Sequence, residues 1–164
     1  MTASDDTDLF RLVYRSRIAI TGDAEAVRQA NEAVLAVSRL RNAEARVTGA
    51  MLFAGLHVVQ ALEGPAAAVE ATFDRICCDL RHSGIEVVEC GPVLEPAFGD
   101  APMSHLVPEA EAGAVLDRLD GTAESVDAAA AAMKLMLTLL QSSRPDHAGP
   151  KRRSAGGHRL SKTQ

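Results

Sequence analysis

The run HVVQALEG (His57–Gly64) decides the fold. β-branched and aliphatic residues fill it and a Gly-Pro pair closes it, the composition of a strand that hands over to a helix. Alternation places Val58, Gln60 and Leu62 on one face and Val59, Ala61 and Glu63 on the other. Gln60 therefore lies among apolar neighbours, where a primary amide without partners costs free energy. Its hydrogen bonds must be received by a backbone carbonyl, by another side chain, or by a flat polar ligand lying over the sheet.

The flanking sequence supplies the rest of the pattern. LFRLVYRS (9–16) alternates Phe10, Leu12 and Tyr14 against Leu9, Arg11 and Val13, and reads as a first strand. Thr21 or Asp23 can cap a helix in which Val27, Ala30, Val34 and Val37 recur at helical spacing and which ends near Arg41. VTGAMLFA (47–54) is a second strand, joined by a turn around Gly55 to the third as an antiparallel hairpin. Pro65 takes the first position of a second helix, whose buried stripe is Val69, Phe73, Ile76 and Leu80 and which Gly84 ends. IEVVEC (85–90) is a fourth strand, and the stretch from PVLEPAF to Met103 holds a weaker fifth. Two more helices are expected, from about Pro108 to Leu119 and from about Ala123 to Leu140. The latter is apolar around most of its girth, with a narrow polar stripe of Asp127, Lys134, Thr138 and Gln141. It must be covered on more than one side, by the back of the sheet and by a partner subunit.

The order β-α-β-β-α-β-β is that of an α+β, ferredoxin-like fold with a five-stranded mixed sheet. In that topology the third strand lies between the first and the second, so Tyr14 and Gln60 stand on neighbouring strands. The two crossover helices cover one face of the sheet, and the two C-terminal helices are free to cover the other.

Composition narrows the class. Hydrophobic residues make up 47% of the 164, but aromatic residues only 3%, with one Tyr and no Trp, so aliphatic side chains must build the core. The net charge of −5 is unevenly spread: Ser142–Gln164 carries +5, which leaves −10 on residues 1–141. That basic tail has one sizeable apolar residue, Leu160, and is expected to be disordered; despite its PKRR it reads as a solubility tail rather than a nucleic-acid contact. The chain opens with the acidic MTASDD and has no apolar run long enough for a bilayer, so no signal peptide and no membrane span are expected and a cytoplasmic location is inferred. Cys77, Cys78 and Cys90 lack a metal-ligand spacing and read as reduced thiols, the first two as small buried residues of the second helix. The organisation is a core over 1–103, a helical extension over 104–141 and a tail over 142–164.

Several polar side chains converge on the cleft between the first two helices. Tyr14 comes from strand one and Gln60 from strand three, while Arg41 and Asn42 sit where helix one ends. On the second helix Arg75, Asp79 and His82 are spaced i, i+4, i+7, with Arg81 in the last turn. Each has an ordinary use: Arg75–Asp79 as a surface pair, Asn42 as a helix C-cap, Tyr14 as a core tyrosine with its hydroxyl at the rim. Their convergence on one cleft points to a ligand.

At these residues the sequence resembles the BLUF domains, blue-light sensors using FAD. The resemblance runs from about Leu9 to Met103 through LVYRS (12–16), SRLRNAEARVTGAMLF (38–53), VVQALEG (58–64), DLRHSG (79–84) and ECGPVLEPAFGDAPM (89–103), in order. It implies a non-covalent flavin, FAD with FMN or riboflavin as alternatives, between the two helices. It places the photoactive tyrosine on Tyr14, the switching glutamine on Gln60 and the signalling methionine on Met103. Flavin contacts fall on Tyr14, Arg41, Asn42, Gln60, Arg75, Asp79, Arg81 and His82. The implied chemistry is transfer of an electron and a proton from Tyr14, relayed by Gln60, with a rearranged Gln60 amide that shifts the flavin absorption to the red. Many members carry a tryptophan two residues before the methionine; here Ala101 stands there, and the signal must leave the pocket without an indole.

The expected function is photoreception with a conformational output rather than catalysis. The residues after Met103 suffice for two helices and a tail, so the output passes to a separate protein effector or through self-association at the C-terminal helices, with no nucleic acid or membrane as partner. The alternative is a light-inactive flavin-binding redox or temperature sensor of the same fold. An acylphosphatase-like enzyme would need a phosphate-cradling loop after the first strand, and YRSRIAITGD lacks its glycines.

Overall fold

The computed structural model describes residues 9–54, 57–106 and 125–142. The elements run β1 (Leu9–Ile18), α1 (Ala24–Ala45), β2 (Thr48–Ala54), β3 (His57–Pro65), α2 (Ala66–Cys77), β4 (His82–Pro92), β5 (Ser104–Leu106) and α3 (Ser125–Ser142). One five-stranded sheet has the order β4-β1-β3-β2-β5. β3 pairs antiparallel with both β1 and β2, and β5 joins β2 in parallel. The sheet is therefore mixed, with β3 between β1 and β2 as expected. In this register Tyr14 stands directly opposite Gln60, and Arg11 directly opposite Glu63.

Period-two alternation divides the sheet into two apolar layers. The front layer, under α1 and α2, includes Leu12, Tyr14, Val58, Leu62, Val69 and Met103. The back layer includes Val13, Ala50, Leu52, Val59, Ala61 and Phe98, and α3 seats Met133, Met136 and Leu139 in it. α3 thus covers the back of the sheet, leaving Lys134, Thr138 and Gln141 exposed. The turn at Gly55, the helix expected over 108–119 and the basic tail after Ser142 lie outside the described residues.

The boundaries differ from the sequence reading where local chemistry outcompetes apolar spacing. Asp23 does cap α1, accepting a hydrogen bond from the Ala26 amide at 2.9 Å. The helix, however, continues past Arg41 to Ala45 and closes on Arg46, whose left-handed backbone (φ 57°) brings its N–H to the Ala43 and Asn42 carbonyls. Asn42 is thus within the last turn, not its C-cap. Pro65 is the N-cap of α2 rather than its first helical residue.

α2 ends at Cys77, seven residues before Gly84. The Asp79 carboxylate accepts the Arg81 amide at 3.0 Å, and His82 N–H reaches the Asp79 carbonyl at 3.1 Å, a side-chain-supported turn that diverts the chain into β4. Leu80 therefore leaves the stripe and stands 93% exposed, while Val69 and Thr72 are the buried residues of α2. Gly84 lies inside β4, where its φ of 58° serves the irregular pairing with β1. Cys77 and Cys78, expected to be buried, are exposed with Cys90.

The fifth strand follows Met103 instead of preceding it. Residues 93–103 cross from β4 at one edge of the sheet to β2 near the other, so no strand runs alongside them to form a continuous ladder. Pro96 and Pro102 lack the N–H that a ladder needs, and a strand forms only where the chain reaches β2.

Candidate functional site

The front layer opens into a cleft between α1 and α2, about 460 Å³ counting the space open to solvent. Val34 and Ile76 face each other across it, and Met51 and Gln60 form its floor. Seven of the nine residues singled out from the sequence line it: Arg41, Asn42, Gln60, Arg75, Asp79, Arg81 and His82. Tyr14 and Met103 lie behind the floor, both buried, each bonded to Gln60.

Of the four polar residues expected on the second helix, Arg75 alone lies on α2. Asp79 and Arg81 come from the turn after it and His82 is the first residue of β4, which corrects the single helical stripe expected for them. Nor do Arg75 and Asp79 pair: Arg75 donates to Thr72 Oγ1 at 3.0 Å, and Asp79 takes both Arg81 Nε, at 2.9 Å, and Nη2, at 2.5 Å.

The floor is a polar chain set in apolar surroundings. Tyr14 Oη donates to Gln60 Oε1. Among the described residues Gln60 Nε2 meets only the Met103 thioether, at 3.9 Å, a weak acceptor for a group with two N–H donors. Phe73 tilts against the Tyr14 ring at 5.4 Å between centroids, and His82 lies edge-on at 6.5 Å. Burial pushes the Tyr14 phenol above its usual pKa, and Cys77 and Asp79 add to the shift, so the hydroxyl keeps its proton. Asn42, buried in α1, donates to the Pro102 carbonyl at 2.9 Å, and Arg39 donates to the Met103 carbonyl at 3.1 Å. Both tie the segment before β5 to α1.

The mouth is basic. Hydrogen bonds from Arg81 hold the Asp79 carboxyl at about 2, and the two charges neutralise each other. Arg41 and Arg75 have no acidic partner among the described residues. His82 accepts from or donates to Ser16 Oγ at 2.9 Å, and burial lowers its pKa, which favours the neutral ring at neutral pH. The cleft thus joins an apolar slot, two amides and uncompensated guanidinium groups, a set that suits a flat heteroaromatic ring carrying an anionic chain. No cluster of metal-ligating side chains occurs among the described residues.

Sequence reasoning missed Ser38, Met51, Thr72 and Ile76, which line the cleft, and Arg39, which holds Met103. The first four carried no signal apart from their helical or strand phase. Arg39 had none, because its partner is a backbone carbonyl far along the chain.

Comparison with known proteins places these residues in a family. Residues 9–104 match the family described as BLUF, sensors of blue-light using FAD. The blue light- and temperature-regulated antirepressor BluF of Escherichia coli (strain K12) is 40% identical over 95 residues, 58% of this chain. The match spans 23% of that protein's length. Among solved structures, the dark state of the BLUF protein BlrB aligns with a TM-score of 0.62 and 28% identity, over 84% of this chain and 98% of that one. Klebsiella pneumoniae BlrP1, solved with FMN and cyclic diGMP, aligns with a TM-score of 0.55 and 26% identity, over 68% of this chain and 29% of that one. Among the described residues no helix is long and apolar enough to cross a membrane.

Proposed function

The chain belongs to the BLUF family of blue-light sensors that use FAD, and from that membership we propose that Tyr14, Gln60 and Met103 register illumination of a flavin held non-covalently between α1 and α2. The observation that carries the reading is the buried Tyr14–Gln60 hydrogen bond at the cleft floor, with a Gln60 amide whose donor capacity is left largely unused. A bound flavin, FAD or FMN, supplies the light absorption and the redox chemistry. Asn42 and Gln60 would meet the polar edge of the ring, Val34 and Ile76 its faces, and Arg41, Arg75 and Arg81 the anionic chain, with Asp79 and His82 completing the wall.

The protein's own part is to hold and move one proton. Tyr14 is the only tyrosine and the chain has no tryptophan, so Tyr14 alone can supply an electron from a phenol or indole. Among the described residues its Oη proton has one direct acceptor, Gln60 Oε1. An amide presents an acceptor at one end and a donor at the other, so a half-turn or tautomerisation of Gln60 exchanges what Tyr14, Met103 and the ligand each meet. Met103, an adaptable thioether held by a weak contact to Gln60 Nε2, takes up the new shape. In the absence of an indole at Ala101, it is the large side chain of its segment placed to do so. The output is a conformational change carried by the segment 93–103 and α3 to a protein effector or a second copy of the chain. A protein effector agrees with the role of the E. coli relative as an antirepressor.

The test is a dark–light difference spectrum of the purified protein. A yellow protein whose flavin band moves to longer wavelength in blue light, and returns in the dark, is the expected result. Tyr14→Phe and Gln60→Leu should bind flavin and lose that shift completely. A normal shift in Tyr14→Phe would overturn the role of Tyr14; a flavin-loaded wild type that never shifts would leave a redox or temperature sensor of the same fold.

A further inference from the structure

On the back of the sheet a second buried polar group stands three residues from Gln60. Glu63 is fully buried, on the face that also carries Val59 and Ala61. A buried carboxylate is costly to desolvate, and an apolar residue in its place is often as stable or more so. Glu63 is nonetheless saturated with donors. Arg11 Nε reaches Oε1 at 2.6 Å, the Ala97 amide lies 3.1 and 3.0 Å from the two oxygens, and the Phe98 amide lies 3.3 Å from Oε2. Arg11 spends its remaining donors on Glu89 Oε1 and the Glu95 carbonyl, both at 3.3 Å, and its guanidinium lies over the Phe98 ring at 5.9 Å.

These bonds all act on one segment, residues 93–103. It crosses the back of the sheet with Phe98 sunk in the layer that α3 covers, then reaches the edge of β2, where Gly49 N–H meets the Ala101 carbonyl at 3.3 Å. Asn42 and Arg39 grip its far end at Pro102 and Met103 on the front. The segment is tied on both faces, and Met103, against Gln60, lies at the end of it. We propose that Arg11 and Glu63 are positioning residues of the sensor, holding Ala97 and Phe98 on the back of the sheet so that Met103 is seated against Gln60 on the front. The inference rests on the reading of Gln60 and Met103 as the switch. Phe98 shares the back layer with Met133, Met136 and Leu139 of α3, so that one strap spans both layers.

The test uses the full chain in the dark and then in blue light. Glu63→Gln keeps the shape but turns one acceptor into a donor facing Arg11 and two amides. Methyl NMR of the methionines, with the Met103 signal assigned through Met103→Leu, should show that signal displaced in Glu63→Gln. The Ala97 and Phe98 amides should exchange roughly tenfold faster or more, as loss of a charged acceptor predicts. Dark recovery of the flavin spectrum should change by at least about threefold at unchanged flavin content. Val59→Ala, which opens a back-layer cavity but leaves every bond to Glu63 in place, controls for loss of stability and should leave the Met103 signal in place. Should Glu63→Gln not fold, Arg11→Lys, which keeps the charge but not the Nε geometry, carries the same measurements. Faster amide exchange with an unmoved Met103 signal would reduce Glu63 to a structural role and overturn the proposal, as would unchanged exchange. A wild type that binds flavin but ignores light would remove the sensor reading alone, because the methyl and exchange measurements decide the clamp without light.

Discussion

Gln60 and Glu63 share β3 and face opposite sides of one sheet, and their surroundings could hardly differ more. Gln60, on the front, has one strong partner and one weak one. Glu63, on the back, has three donors in place around its two oxygens. A polar group with spare donors can exchange partners at small cost, whereas a saturated carboxylate holds one arrangement and loses heavily if it is disturbed. The front is loosely bonded and the back saturated, and the strap of residues 93–103 runs between them.

The sharpest way to break this contrast is a stability measurement on the flavin-free protein. Glu63→Ala should cost about 3–5 kcal/mol in urea unfolding, because it leaves the Ala97 and Phe98 amides without their acceptor and removes the short ion pair of a largely buried Arg11, which keeps its longer contact to Glu89. Replacing both partners on the front, Tyr14→Phe with Gln60→Leu, should stay within about 1 kcal/mol of wild type, since no unpaired group remains. Equal losses on the two faces would erase the distinction.

A second measurement sharpens the direction of signal flow. Met103→Ala should keep most of the spectral shift, while the light-induced change in hydrogen exchange over α3 falls several-fold. Equal light responses in α3 for wild type and variant would remove Met103 from the path, and no response in either would remove α3.

The smallest effect concerns the rim of the cleft. Hydrogen bonds from Arg81 hold the Asp79 carboxyl at about 2 against an ordinary 3.8, so folding is favoured by the ionised form. This contribution is present above the ordinary value and is lost as pH falls from about 4 toward 2. Arg81 is 44% exposed, which keeps the effect below about 1 kcal/mol. Asp79→Asn should flatten the acid limb of a stability–pH curve by that amount; an unchanged limb would show the pair to be too solvated to matter.

Much of this was legible before any coordinates. The alternation in HVVQALEG separates the two layers correctly, and the order of elements puts Tyr14 and Gln60 on neighbouring strands, whose register then sets them directly opposite. The same alternation groups Glu63 with Val59 and Ala61, but nothing in that spacing told of its complete burial or of its partners on Arg11, Ala97 and Phe98. Where the reading failed, short-range polar chemistry defeated apolar periodicity. Leu80 continues the α2 stripe in spacing, but the Asp79 carboxylate captures the Arg81 amide and ends the regular chain first. The fifth strand was misplaced because pairing depends on which neighbour the chain reaches, and apolar content says nothing of that. Arg39 and Asn42 act on backbone carbonyls some sixty residues distant, contacts that no local pattern encodes.

The single, wholly buried tyrosine also makes the molecule an unusually plain optical object. With one phenol and no indole, every tyrosine band in near-ultraviolet dichroism, resonance Raman or transient absorption belongs to Tyr14. No isotope label or comparison variant is needed to assign it. The ring whose hydroxyl touches Gln60 is thus its own reporter, and the aromatic poverty that forced an aliphatic core leaves the background dark around it.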